Sequence, residues 1–166
     1  MRKLLLLDAD VIIDLHVLGI FEKLAKAYEI FVTIEVLREA RYYKKAGKKY
    51  PIHIEGKITV IKNVQLDSLN KVMAEAREAR LAIDQGEATS IAYLLQPEED
   101  LRLCTFDKAA IKLISYMGLG EKSVSLEKAL KSAGHHRKLY PRHLENEFKN
   151  CIKDGKALRI QFKNLM

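Results

Sequence analysis

Two aspartates stand where chemistry could be done. Asp8 follows directly on Leu4-Leu5-Leu6-Leu7, and Asp107 closes the stretch Leu101–Thr105 with only Phe106 between. Both stretches have the same shape: apolar strand, acid, helix. Ligands of open α/β sheets bind beyond the carboxyl ends of the strands, so these two carboxylates converge if their strands are neighbours. Glu39, inside the helical stretch that follows Ile30–Thr33, and Asp84 and Glu87, at the start of another helix, are the further candidates. No His or Cys belongs to the set. An oxygen-only environment of this kind suits Mg²⁺ or Mn²⁺, and the chemistry that calls for it is phosphoryl transfer or phosphodiester hydrolysis. Without a cation, four acids in one cleft repel one another and some take up protons.

Plain structural roles stand beside these. Asp84-x-x-Glu87 fits a capping box, and Asp107 fits the N-cap of a helix starting at Lys108. Glu39, between Arg38 and Arg41, reads equally as a solvated charge. Asp10 reads as a cap of the first helix and Asp14 as a surface charge. Asp8 is the hardest to explain away, because four leucines lead straight into it.

The elements that must hold these acids follow from pattern. Leu4–Leu7 is a continuous apolar run, the habit of a strand buried on both faces. Val11 to Ala27 carries apolar residues at helical steps, with a break at Gly19. Ile30–Thr33 reads as a strand, 34–44 as a helix, 44–51 as a basic loop, and Ile58–Ile61 as a β-branched strand. Leu66–Ile83, rich in Ala, Glu, Arg and Lys, is a helix. Ala88–Leu95 is another, stopped by Pro97. Leu101–Thr105 is a strand, Lys108–Met117 a helix closed by Gly118, Val124-Ser125 a short strand and Leu126–Ala133 a helix. Strands alternating with helices predict an α/β domain of three layers, α/β/α, with a mainly parallel central sheet. That domain is expected over residues 1–133. Residues 134–166 hold eight Lys or Arg against Glu145, Glu147 and Asp154, and read as a basic, partly helical C-terminal extension.

The 166 residues carry 31% charged and 48% hydrophobic side chains, which excludes disordered and fibrous classes. A net charge of +7 suits a polyanionic partner. The two cysteines, Cys104 and Cys151, form no CxxC pair, and neither a disulfide framework nor a cysteine zinc site is indicated. His135, His136, His143 and Cys151 fit no zinc spacing. Leu4–Leu7 is too short for a signal sequence or a membrane span, so no membrane association and a cytoplasmic location are expected.

Four blocks, taken in order, resemble the PIN domain, a family of metal-dependent ribonucleases. Leu4-Leu-Leu-Leu-Asp8-Ala-Asp10-Val-Ile-Ile resembles its opening strand and first aspartate. Val32-Thr33-Ile-Glu-Val-Leu-Arg-Glu39 resembles the second block, a Thr or Ser before a helix bearing Glu. Asp84-Gln-Gly86-Glu87-Ala88 resembles the Gly-Glu-Ala form of the third. Leu103-Cys-Thr105-Phe-Asp107 resembles the last, a strand ending in Thr-x-Asp. The resemblance covers residues 1 to about 133. It implies a PIN-like parallel sheet between helices, with Asp8, Glu39, Glu87 and Asp107 facing one Mg²⁺ or Mn²⁺ site as ligands and catalytic groups. It also implies hydrolysis of single-stranded RNA by an attacking water. Many small relatives are toxins of toxin–antitoxin pairs, and many are homodimers, so an antitoxin protein and a second copy are implied partners. Asp10 departs from the usual Asn, Ser or Thr two places after the first Asp. Asp84 competes with Glu87 for the ligand role, and Glu87 is favoured as the residue of the Gly-Glu-Ala form.

Arg41, Tyr42, Tyr43, Lys44, Lys45, Lys48 and Lys49, with Tyr50, interleave rings that stack on bases with charges that pair with phosphates, which is what a single-strand surface needs. Two other readings remain. Asp8-Ala9-Asp10-Val11-Ile12 also matches the first motif of haloacid-dehalogenase-like phosphohydrolases, although no later acidic pair follows a strand. A PIN-like module that binds RNA or protein without cleaving is the other.

Overall fold

The computed structural model describes residues 2–96 and 100–163. The chain is α/β. Strand β1 (Lys3–Leu7) leads into α1 (Ala9–Val17) and α2 (Phe21–Ala27). Next come β2 (Tyr28–Thr33), α3 (Ile34–Glu39), and the strands β3 (Tyr42–Lys45), β4 (Lys48–Pro51) and β5 (Thr59–Ile61). Helices α4 (Leu66–Glu78) and α5 (Gln85–Leu94) precede β6 (Leu101–Cys104) and α6 (Lys108–Tyr116). The chain then runs through β7 (Ser123–Val124), α7 (Leu126–Ser132) and α8 (Glu145–Lys163).

Five strands form one parallel sheet in the order β5-β2-β1-β6-β7. The leucine run is the centre of it. Leu5 and Leu7 enter one core, with Ile30, Val32 and Cys104, against Ile12 and Leu15 of α1, Leu24 of α2 and Leu130 of α7. Leu4 and Leu6 face the other core, with Phe31, Leu101 and Leu103, against Val72 of α4, Ile91 of α5 and Leu113 of α6. Two apolar faces explain an unbroken apolar strand, and two helix layers make the expected three-layer α/β/α arrangement. The order also sets a topological switch at β1, where the chain passes leftward to β2 and later returns rightward to β6. The crevice beyond the carboxyl ends of β1 and β6 is where such folds hold ligands.

Two stretches depart from expectation: the helix expected over Leu66–Ile83 ends at Glu78, where the chain turns through Arg80 at φ 57°, and the region after Thr33 is built differently. The helix over 34–44 stops at Glu39, and the basic loop over 44–51 is a hairpin, β3 paired antiparallel to β4. Its two-residue turn places Ala46 at φ 52° and Gly47 at φ 76°, both in the left-handed region that a tight hairpin turn demands. Tyr43 gives the hairpin its seat. It packs on the first core, its ring 5.6 Å from His16 and 5.3 Å from Tyr50. A tertiary contact here overrides residues of ordinary helix propensity.

The segment after 133 packs on the rest. Gly155 lets α8 lie directly on α6: a Cβ there would meet the Lys112 carbonyl and would stand 2.6 Å from Ser115 Cβ. Ser115 donates to the Ile152 carbonyl at 2.5 Å, and Arg159 to the Tyr116 carbonyl at 2.6 Å. Lys163 reaches Glu75 at 2.9 Å and Glu78 at 3.0 Å on α4. No helix among the described residues is long and apolar enough to cross a membrane.

Candidate functional site

Each acid is delivered by the start or end of an element. Asp8 leaves β1 and is the N-cap of α1, its Oδ1 accepting from the Ala9 N–H at 2.9 Å. Asp10 therefore sits in the first turn rather than at the cap. Asp107 leaves β6 and caps α6, accepting from the Ala110 N–H at 2.9 Å. Asp84 caps α5 through the Glu87 N–H at 2.8 Å, and the Glu87 carboxylate accepts from the Asp84 N–H at 3.2 Å. The capping box is therefore real, and it does not move either carboxylate away from the crevice.

Thr105 joins the two strand ends. Its hydroxyl donates to Asp8 Oδ2 at 2.8 Å and accepts from the Asp107 N–H at 3.2 Å. Thr33 does the same for the other side. It caps α3 through the Val36 N–H at 3.3 Å and accepts from the Thr89 hydroxyl of α5 at 3.2 Å. That bond holds α3 against α5 and so brings Glu39 to the first turn of α5. There Glu39 Oε1 lies 2.9 Å from where a Cβ on Gly86 would be. A side chain at this position would push the Glu39 carboxylate aside.

The electrostatics show that these acids form one group. Asp8 is 5% exposed and Glu87 7%. Burial pushes the Asp8 carboxyl up to about 6, with Asp84 and Asp10 adding to the rise against the pull of the Thr105 and Ala9 hydrogen bonds. Burial, then the charges of Asp107, Asp8 and Asp84, push Glu87 up to about 9. Asp10 and Glu39 are raised as well, by lost hydration first and then by neighbouring acids, Asp84 among them in both cases. Asp84 thus acts on four other carboxylates. The structure brings Asp8, Asp10, Glu39, Asp84, Glu87 and Asp107 into mutual influence at the carboxyl end of the sheet.

Such a set fits a hard divalent cation by its chemistry: oxygen donors only, crowded, and short of positive charge. Among the described residues no three His, Cys, Asp or Glu side chains are grouped as ligands of a metal ion.

Beside this group lies a cluster that sequence reasoning missed. Asp14 is buried rather than on the surface, and Arg142 grips it with Nε and Nη2, at distances from 2.7 to 2.9 Å. His143, 2% exposed, meets the same carboxylate through Nε2 at 2.7 Å. The Phe106 ring stands edge-on to His143 at 4.8 Å, and the Arg142 guanidinium lies 4.9 Å from that ring. Burial raises the Asp14 carboxyl, but the bonds from His143 and Arg142 more than offset it and hold it below its ordinary value. The pair is adjacent in sequence, yet 128 positions separate Arg142 from Asp14, and no local pattern marks such a contact.

The residues read as an RNA surface all lie in or next to the hairpin. Arg41, Tyr42, Lys44, Lys45, Lys48 and Lys49 are exposed, while Tyr43 is half-buried against His16. Lys44 stands opposite Lys49 and Lys45 opposite Lys48 across the ladder, and Lys49 Nζ lies 4.3 Å over the Tyr42 ring. Comparison with protein-family models, with curated proteins and with solved structures finds no match to this chain.

Proposed function

We propose that this chain is a metal-dependent endoribonuclease of the PIN type. The observation that carries the reading is the crowded carboxylate crevice at the switch point, where Asp8 and Glu87 hold protons far above the usual carboxylate range. Carboxylates left so short of compensation are the donor set that a divalent cation satisfies. Asp8, Glu87 and Asp107, with Glu39 across α5, would hold Mg²⁺ or Mn²⁺; Asp10 and Asp84 are the neighbours that could join them. The ion supplies charge neutralisation and Lewis acidity for phosphodiester hydrolysis.

The chain's own residues supply the rest. Thr105 fixes Asp8 relative to Asp107, and Thr33 with Thr89 fixes Glu39 relative to Glu87. Glu39, exposed and raised above the ordinary carboxylate value, is suited to accept a proton from an attacking water. The hairpin begins three residues after Glu39 and supports an RNA substrate. Like charges directly opposite on a ladder are destabilising, so Lys44–Lys49 and Lys45–Lys48 favour a polyanion lying across them. Tyr42 and Tyr50, both exposed, offer rings for unpaired bases. A second copy and an antitoxin protein remain implied by the resemblance alone.

The test is cleavage of an end-labelled single-stranded RNA with Mn²⁺, with EDTA, and with Asp8→Asn. Cleavage that requires both the ion and Asp8 supports the reading. Metal binding without cleavage favours a non-catalytic module, and turnover of a small phosphate ester alone favours a phosphohydrolase; either result refutes the nuclease.

A further inference from the structure

The amino end of the sheet, opposite the carboxylates, carries a cavity of about 520 Å³, within the range of sites that hold small molecules. Its floor is apolar, made by Leu5 of β1, Tyr28 of β2, Val124 of β7 and Ala129 of α7. Its charged rim is unbalanced: Arg2, Lys3, Arg102 and Lys128 against Glu29 and Asp100.

Arg102 is the informative residue. It pairs with Leu5 in the β1–β6 ladder and therefore shares the sheet face of Leu5, Leu7 and Cys104, which elsewhere on that face is core. A strand residue at that register would be expected to be apolar. Instead it is an exposed arginine with no hydrogen bond or ion pair among the described residues, close enough to the Tyr28 phenol to act on it electrostatically. Tyr28 itself is held in place, its hydroxyl donating to the Ala129 carbonyl at 2.7 Å. A planar cation thus stands beside a fixed ring where the cavity meets the edge of the core.

We infer that this cavity binds a small phosphomonoester whose apolar body rests on the Leu5–Tyr28–Val124 floor and whose phosphate is met by Arg102 and Lys128. A guanidinium matches phosphate geometry with two parallel bonds, and a concave pocket with an apolar floor and few polar groups is the form small-ligand sites take. The inference is independent of the proposed nuclease reaction. The five residues of β1 separate the two ends of the sheet by about 15 Å.

Isothermal titration calorimetry in EDTA, with adenosine 5′-monophosphate and inorganic phosphate as probes, tests it. The nucleotide is expected to bind saturably at one site and more tightly than inorganic phosphate. Arg102→Gln and Lys128→Gln should each weaken it about tenfold, the value of one lost charged hydrogen bond, with an unchanged unfolding midpoint. Asp8→Asn should leave it intact, whether or not the chain cleaves RNA. No saturable binding up to about 10 mM, or binding unmoved by Arg102→Gln, overturns the inference. Equal affinity for inorganic phosphate overturns the role of the apolar floor.

Discussion

Replacing Asp8 by Asn should make this protein more stable at neutral pH while removing its proposed chemistry. The Asp8 carboxyl moves from 3.8 in the unfolded chain to about 6 in the fold. Its protonated form is therefore the one the fold prefers. The sign follows from linkage: stability is fully present below pH 3.8 and is lost as pH rises through about 6, because the unfolded chain releases the proton first. The distance between the two values corresponds to about 3 kcal/mol above pH 6. Asn carries no charge and escapes that cost. It has one acceptor oxygen where Asp8 uses two, for Ala9 N–H and Thr105. The Thr105 hydroxyl must turn to accept instead, at a cost of about 1–2 kcal/mol. A net gain of about 1–2 kcal/mol remains. The assay is urea unfolding of both proteins in EDTA at pH 4 and pH 8. The Asn variant should lead at pH 8 and lose its lead toward pH 4, and Mn²⁺ should restore the wild type alone, by mass action. An Asn variant less stable than wild type at pH 8 in EDTA, or a lead equal at both pH values, would refute the reasoning.

Two other perturbations probe how the site is framed. Gly155→Ala drives a methyl group into Ser115 and the Lys112 carbonyl and should cost about 1–3 kcal/mol, read as a lower urea midpoint; a loss under about 0.5 kcal/mol would mean that α8 does not sit tightly on α6. Asp14→Asn strips the charge that Arg142 and His143 share and should cost about 2 kcal/mol, less than a fully buried pair because Arg142 is half-exposed. Since the Asp14 carboxyl is held low, that advantage of the wild type should stand above pH 3.8 and fade as pH falls further, checked by the difference in unfolding free energy across pH 3 to 7.

Much of the frame was legible because it is local. Four leucines ended by an aspartate read as a strand with two apolar faces, and Leu101–Thr105 repeats the shape. Alternation of such strands with helices predicted the parallel sheet, and adjacency of β1 with β6 is what that prediction needed to bring Asp8 toward Asp107. Capping and site roles were hard to separate from spacing because they coincide: Asp8, Asp84 and Asp107 each close a helix start at the rim of the crevice. The hairpin was illegible for two reasons. Tyr-Tyr-Lys-Lys shows no alternation, and its turn is Ala-Gly instead of the Asn-Gly that announces such turns. What makes it a hairpin is Tyr43 against His16, a contact with another element. The grip of Arg142 and His143 on Asp14 was equally beyond reach, for it joins chain segments more than a hundred residues apart.

The central place of β1 also has a kinetic consequence. This strand can pair with β2 early, but its other edge waits for β6, and Thr105 finds Asp8 97 positions away. Parallel pairing over such a span is slow, since loop-closure entropy is lost before any contact repays it. The hairpin, by contrast, closes through two residues. During synthesis the basic surface is therefore complete before the carboxylates meet: Asp8, Asp10 and Glu39 precede the hairpin in the chain, and Asp84, Glu87 and Asp107 follow it. At that stage the exposed edge of β1 is the point of risk for misassociation, and it is covered only when β6 (Leu101–Cys104) pairs with it.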